Sequence, residues 1–376
     1  MNHMNISIND VASQWADISY CENNILDFLR SGNYMSDEPI QKFEHAYADY
    51  IDTSYAVGVS NGTDALHLCY EVLKKDKTLL ILQANTFISD AISAAEDITI
   101  RLVDCDMYYQ MNTDLLQERL AYCRNKYDTI IVCITHMYGH PANIPVIMKL
   151  CEEYNAYLVE DCSHAQGASV LEGRVGSFGM VNPASLYPGK NLGAAGEAGI
   201  ITTNSQLADN HLRLLRNIGS RQKYVHEIKG TNSRMDAIQA IILKEKLTLL
   251  DKWNTIRKHI SMIYAKELDR EHLVLPEEAP WCNECVYYTY TIRTKYRNAL
   301  KEYLHFKGID TNIYWPYPIQ KTKMYSELNV GNFKTLIYAS ENLGLPIHPY
   351  LNEDSLSYII KCVNSFFSEK IYENSN

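Results

Sequence analysis

Two acidic residues, Glu160 and Asp161, close a short apolar, β-rich run that begins Tyr157-Leu-Val159. Some thirty residues further on, Lys190 sits in a turn preceded by Pro188 and Gly189. A strand-end acid and a lysine on a tight turn are what chemistry on pyridoxal 5'-phosphate (PLP) requires. The acid keeps a pyridine nitrogen protonated, so the ring can take up an electron pair. The lysine forms the Schiff base and later moves the proton. Acids at strand ends and Gly-Lys pairs are each common, so the surrounding elements have to carry the argument.

Those elements alternate. Tyr55-Ala-Val-Gly-Val59 predicts a strand and Ser60-Asn-Gly62 a turn; the run from Thr63 to Leu73 has apolar residues at helical spacing. Asn61, Gly62 and Thr63 then lie where backbone N–H groups and the helix dipole favour an anion. A plain capped helix would give the same pattern. Further strands are predicted at Leu79–Leu82, Ile98–Val103, Thr129–Ile134 and Tyr157–Val159, with helical stretches at Asp90–Glu96 and Pro145–Tyr154. Alternation of this kind predicts a mostly parallel sheet covered on both faces, with ligands outside the strands' carboxyl ends. Asn85-Thr-Phe87, His136-Met-Tyr-Gly139 and Asp161 all follow strands and should converge there. Downstream, the pattern is helical over Leu207–Asn217 and along one long run from Arg234 to Ala265; Tyr287–Arg293 alternates like a strand. Helical stretches at Asn298–Lys307 and Glu353–Ile371 complete an α+β C-terminal third. We expect a large domain over 1–250, including an N-terminal helix around Gln41–Tyr50, and a small one over 251–376.

The chain has 376 residues, 46% apolar and 21% charged, with acids exceeding bases 45 to 35. A net charge of −10 argues against nucleic-acid binding, which shows a basic face. No apolar run approaches the roughly 18 residues a membrane span needs, and the start has neither a basic nor an apolar leader segment. The expectation is a cytoplasmic protein with reduced core thiols. Cys282 and Cys285 form the one close pair among ten cysteines, and no second pair at zinc-site spacing follows. No metal is expected.

In this order, the segments resemble the DegT/StrS family of PLP-dependent nucleotide-sugar aminotransferases over nearly the whole chain. The motifs are Asn61-Gly-Thr-Asp-Ala-Leu66, Asn85-Thr-Phe87, His136-Met-Tyr-Gly139, Glu160-Asp161, Tyr187-Pro-Gly-Lys-Asn-Leu-Gly-Ala194, Arg216-Asn-Ile-Gly219, Gly230-Thr-Asn-Ser-Arg234 and Gly308-Ile-Asp310. The resemblance implies an aspartate aminotransferase-like (type I PLP) α/β fold with a seven-stranded-type sheet. It implies that Lys190 is the Schiff-base lysine, that Asp161 pairs with the pyridinium nitrogen, and that Phe87 stacks on the ring. Gly62, Thr63 and Ser185 would hold the phosphate, His164 would approach the phenolic oxygen, and Asn232 would reach the phosphate in a neighbouring subunit's site. That last role implies a homodimer with shared active sites.

The same resemblance implies transfer of an amine from L-glutamate to a nucleotide-linked keto-sugar. A related deoxygenating enzyme has histidine where Lys190 stands, so the lysine favours amino transfer. The run from Tyr187 to Ala194 is similar to relatives that aminate C3 of dTDP-3-keto-6-deoxyhexoses; a C4 aminotransferase of the viosamine or perosamine type is the alternative. Tyr187, Lys223, Tyr224 and Tyr314 are candidate contacts for the sugar and its diphosphate, with surface packing as the plainer reading of these side chains. The chain departs from the family pattern at Gly196-Glu-Ala-Gly199, at Ala184 and Leu186 beside Ser185, and at Tyr314 where relatives tend to carry histidine. A P-loop is excluded because Asn191 follows Lys190 and Ala184 stands where a glycine is needed. A non-catalytic PLP-fold sensor remains the rival of a different class.

Overall fold

In the computed structural model, which describes residues 5–328 and 334–374, four strands form a parallel core. Their order is Thr99–Val103, Thr78–Gln83, Thr129–Thr135, Tyr157–Asp161. A three-stranded sheet continues it: Val159 bridges Val181 in the parallel sense, and Cys162 N–H donates to Pro183 O at 2.9 Å. This brings in Asn182–Ser185, then Gly199–Thr203 and Tyr55–Val59, each antiparallel to the strand before. Gly199–Thr203 is therefore the one reversed strand among the seven. All four strands that carry proposed site residues at or just beyond their carboxyl ends run the same way and point them to one edge.

The side-chain period of two explains the layering. Leu80 and Leu82 pack with Leu66 and Leu212 on one face, while Leu79 and Ile81 pack with Leu116 and Ile147 on the other. Helices Gly62–Leu73 and Gln206–Arg216 cover the first face, and Thr113–Cys123 and Ile144–Glu153 the second. Strands Thr78–Gln83 and Thr129–Thr135 are buried at every position, as central strands covered on both faces must be. Helix Glu38–Ile51 sets Ile40, Phe43 and Tyr47 against Ala240 and Leu243 of helix Ala237–Leu247.

Two predicted helices differ. The Arg234–Ala265 run divides into Ala237–Leu247 and Leu250–Glu267, with Thr248 N–H closing on Glu245 O. The Asp90–Glu96 helix is a single turn, Ser89–Ile92, because Asp90 turns inward to the hydroxyls of Thr86 and Thr135.

A second apolar cluster gathers helices Leu250–Glu267, Arg297–Phe306 and Glu353–Ser368 around the antiparallel pair Tyr290–Arg293 and Asn342–Leu345. The first described residues sit here rather than on the parallel sheet. Ile6 N–H donates to Gly308 O at 2.8 Å, and Asp310 N–H to Ile6 O at 2.9 Å. All ten cysteines are free. Among the described residues no helix is long and apolar enough to cross a membrane.

Candidate active site

The carboxyl ends of the strands open into one cavity of about 850 Å³. Asp161 is the last residue of Tyr157–Asp161, is buried, and accepts from Ser163 N–H at 2.8 Å. The neighbouring acid points the other way. Glu160 accepts from the N–H groups of Gly176, Phe178 and Gly179 at 3.0, 2.8 and 2.7 Å, and pairs with His136 Nε2 at 3.1 Å. Since His136 Nδ1 accepts from Ala142 N–H, Nε2 is the donating nitrogen. Period-two alternation has thus split the adjacent acids into one structural tie and one cavity group.

Lys190 N–H closes a turn onto Tyr187 O at 2.8 Å, which aims the side chain into the cavity with Nζ 4.8 Å from the Tyr288 ring centroid. Burial lowers its pKa from 10.5 to about 8, while Asp161 and Asp90 pull the other way. Among the described residues Lys190 forms no ion pair within bonding distance.

At the opposite wall, helix Gly62–Leu73 begins with its cap in place: Asn61 Oδ1 accepts from Asp64 N–H at 2.8 Å. The N–H groups of Gly62 and Thr63 have no intrahelical acceptor and remain available to an anion. Gly62 is required because a Cβ there would lie 2.5 Å from Ser185 Cβ. Its absence lets the helix start approach the strand end that carries Ser185. Gly139, at φ 95°, allows a similar close approach: a Cβ would lie 2.6 Å from Tyr287 N and 2.7 Å from Tyr288 N. The C-terminal segment thereby reaches the cavity.

That segment brings aromatic rings. Tyr288 stacks on His164 at 4.2 Å and 12°, and Trp315 lies 4.4 Å from the ring of Phe87. His164 is buried with Nδ1 unpartnered, and its pKa is held well below 6.5 by burial and by Lys190. Beneath Asp161, Thr135 Oγ1 donates to Asp90 Oδ2 at 2.6 Å and Thr86 Oγ1 donates to the same oxygen. Burial first, and then the neighbouring Asp161, push Asp90 well above the usual carboxyl range.

Of the residues singled out from the sequence, Gly62, Thr63, Phe87, Asp161, His164, Ser185, Tyr187, Lys190 and Tyr314 all line the cavity. Asn232 does not; it lies in an adjoining groove that shares Asn61 and Glu197 with it. Lys223 and Tyr224 are not brought in either. They sit between the short strands Ser220–Gln222 and Val225–His226, and Tyr224 is 82% exposed. Sequence reasoning missed Arg257, Tyr288, Trp315 and the N-terminal Ile8 and Asn9, all of which line the cavity. Asn9 Nδ2 donates to Gly189 O at 3.1 Å, beside the lysine.

These features fit PLP. A helix start opened by Gly62 suits a phosphate, a buried carboxylate suits a pyridinium N–H, and a lysine amine without an ion pair among the described residues lines the same cavity.

Comparison with known proteins agrees. The profile of the DegT/DnrJ/EryC1/StrS aminotransferase family matches residues 18–364. The chain is 33% identical over 349 residues to dTDP-3-amino-3,4,6-trideoxy-alpha-D-glucose transaminase of Streptomyces venezuelae, covering 90% of this chain and 89% of that protein. It is 33% identical over 339 residues to the erythromycin biosynthesis sensory transduction protein EryC1 of Saccharopolyspora erythraea, covering 88% and 91%. The X-ray structure of S. venezuelae DesV in complex with a ketimine intermediate matches with a TM-score of 0.89 at 30% identity, over 96% of this chain and 98% of that one. With fold and sequence matched through both the parallel sheet and the C-terminal cluster, the chain belongs to the DegT/DnrJ/EryC1/StrS aminotransferase family, a family of PLP-dependent sugar aminotransferases.

Proposed function

We propose that the protein transfers the amino group of L-glutamate to a nucleotide-linked keto-sugar, at C3 of a dTDP-3-keto-6-deoxyhexose. The observation that carries this reading is Lys190: among the described residues a lysine amine without an ion-pair partner, lining one cavity with Asp161 and the helix start at Gly62. Gly62 and Thr63 N–H groups with the Ser185 hydroxyl would hold the cofactor's phosphate, and Asp161 its ring nitrogen. Phe87 would lie against the ring, with His164 near the phenolic oxygen. When bound, PLP supplies a protonated heteroaromatic ring that stores the electron pair released as a substrate C–H bond breaks.

The rest falls to the chain's own groups. A pKa near 8 keeps part of the Lys190 population neutral at physiological pH, so its amine can take a proton from one carbon and return it to another. Held neutral, His164 adds no second positive charge beside the lysine. Asp90, beneath them, accepts from the hydroxyls of Thr86 and Thr135, and burial raises its pKa. Tyr187 and Tyr314, which line the cavity, would meet the sugar. We further propose a homodimer with shared sites, supported by the position of Asn232 outside its own chain's cavity.

The 3-amino product named for the S. venezuelae relative supports C3 over C4. The regulatory name carried by EryC1 keeps the sensor in view, but a sensor needs no proton-carrying amine. A single-turnover experiment tests the reading. Protein loaded with PLP is converted to the amine form with L-glutamate, stripped of donor, and mixed with dTDP-3-keto- or dTDP-4-keto-6-deoxyhexose. Return of the cofactor's original absorbance with the 3-keto sugar is expected. Return with the 4-keto sugar alone moves the amine to C4, and no absorbance change with glutamate sinks the aminotransferase reading.

A further inference from the structure

Arg257 is carried on helix Leu250–Glu267, is 3% exposed, and lines the same cavity as Lys190. Among the described residues its one hydrogen bond runs from Nη1 to the backbone oxygen of Ile347, at 2.5 Å. Nε is buried without a partner, and no carboxylate forms an ion pair with it. The ionisable groups that act on it are Tyr288, Tyr314 and Tyr350. Nearby His348 supplies no counter-charge, because burial and Arg257 itself lower its pKa to about 4. A buried guanidinium cannot shed its proton as a lysine can, so it needs an anion. With Nη1 committed to the backbone, the edge left open is Nε and Nη2, which presents two parallel N–H donors to a carboxylate.

We propose that Arg257 binds a carboxylate of the amino-acid donor. The site rests on the aminotransferase reading and deepens it. Tyr288 is a neighbour that both groups share. Lys190 Nζ lies 4.8 Å from its ring centroid, Tyr288 lines the same cavity as Arg257, and its charge is felt at the guanidinium. A molecule that presents an amine to Lys190 and an anion to Arg257 therefore lies along Tyr288 within a single cavity. The sugar's diphosphate is a poorer match, since Arg257 is enclosed beside Leu345 and Ile347 rather than at the mouth.

The test separates the subsite from the reaction. Wild type, Arg257→Met and Arg257→Lys are loaded with PLP, checked for cooperative melting, and titrated with glutarate, a dicarboxylate without an amine. Glutarate should raise the melting temperature of the wild type but not of Arg257→Met, with Arg257→Lys between them. In the first half-reaction, KM for L-glutamate should rise about tenfold or more in Arg257→Met, the weight of a charge-assisted bidentate contact. Amine transfer from benzylamine, which has no carboxylate, should change far less. Equal losses with both donors, or a weakened response to the nucleotide-sugar with glutamate unaffected, would overturn the proposal. Should Arg257→Met fail to fold, Arg257→Lys decides by the same ratio. If wild type transfers no amine from glutamate yet still shows the Arg257-dependent glutarate shift, the reaction has been misread and the subsite stands.

Discussion

Gly62→Ala is the sharpest probe of the anion cradle. The added Cβ would lie 2.5 Å from Ser185 Cβ and 2.9 Å from Ser185 Cα. Carbon atoms pack at about 3.5–4.0 Å, so the helix start and strand end must part by about 1 Å. Neither partner is a flexible side-chain tip that could swing aside. Overpacking of this kind costs about 1–3 kcal/mol, while alanine recovers up to about 1 kcal/mol of helix propensity over glycine. The clash wins, by about 1–2 kcal/mol, and the groups displaced are the N–H donors of Gly62 and Thr63. PLP affinity should therefore fall about 5- to 30-fold. The assay is titration of cofactor-free protein with PLP, followed by cofactor absorbance, with melting temperature recorded alongside. Ser185→Gly removes the nearer of the two clashing atoms, so Gly62→Ala/Ser185→Gly should lose less affinity than the two single losses combined. A Gly62→Ala protein that melts and binds PLP like wild type would refute the close approach of helix and strand.

Two further outcomes follow from the lysine and the shared site. A lysine whose pKa falls from 10.5 to about 8 on folding binds fewer protons in the native than in the unfolded chain between those values. Its penalty is full below about pH 8 and fades toward pH 10.5. Cofactor-free Lys190→Met should thus melt above wild type at pH 7, with the gap closing over that window; a gap that widens with pH contradicts the assignment. Lys190→Ala and Asn232→Ala should each be impaired alone, yet co-refolding should restore about a quarter of the sites, those where an intact chain of each kind meets. No recovery would mean that Asn232 does not act across the dimer.

How much of this was legible from sequence depended on whether the signal was local. Asp161, the Lys190 turn and the helix start at Gly62 belong to regular elements whose period and punctuation are visible within a dozen residues. They all reached the cavity. Arg257 was not legible, because an arginine in an amphipathic helix normally covers a solvated face; its burial comes from tertiary packing, with the distant Ile347 backbone accepting its hydrogen bond. Asp90 lay in a helical pattern and is instead drawn inward by two threonine hydroxyls, one of them on another strand. Tyr288, Trp315 and Asn9 come from segments far apart in the chain. Lys223 and Tyr224 had suitable chemistry but lie on an exposed hairpin, which residue type alone cannot reveal.

The pairing of Ile6 with Gly308 and Asp310 sets an order of events during synthesis. Ile6 leaves the ribosome first, while its partners follow roughly 300 residues later, a wait of about 15–60 s at ordinary elongation rates. The parallel strands through Asp161 can pair well before then. Asn9, which bonds to the Lys190 turn, is tethered three residues along from Ile6, and Tyr288, Tyr314 and Trp315 emerge late as well. Between the synthesis of Lys190 and that of Tyr288 the nascent chain therefore carries an open, unfinished cavity.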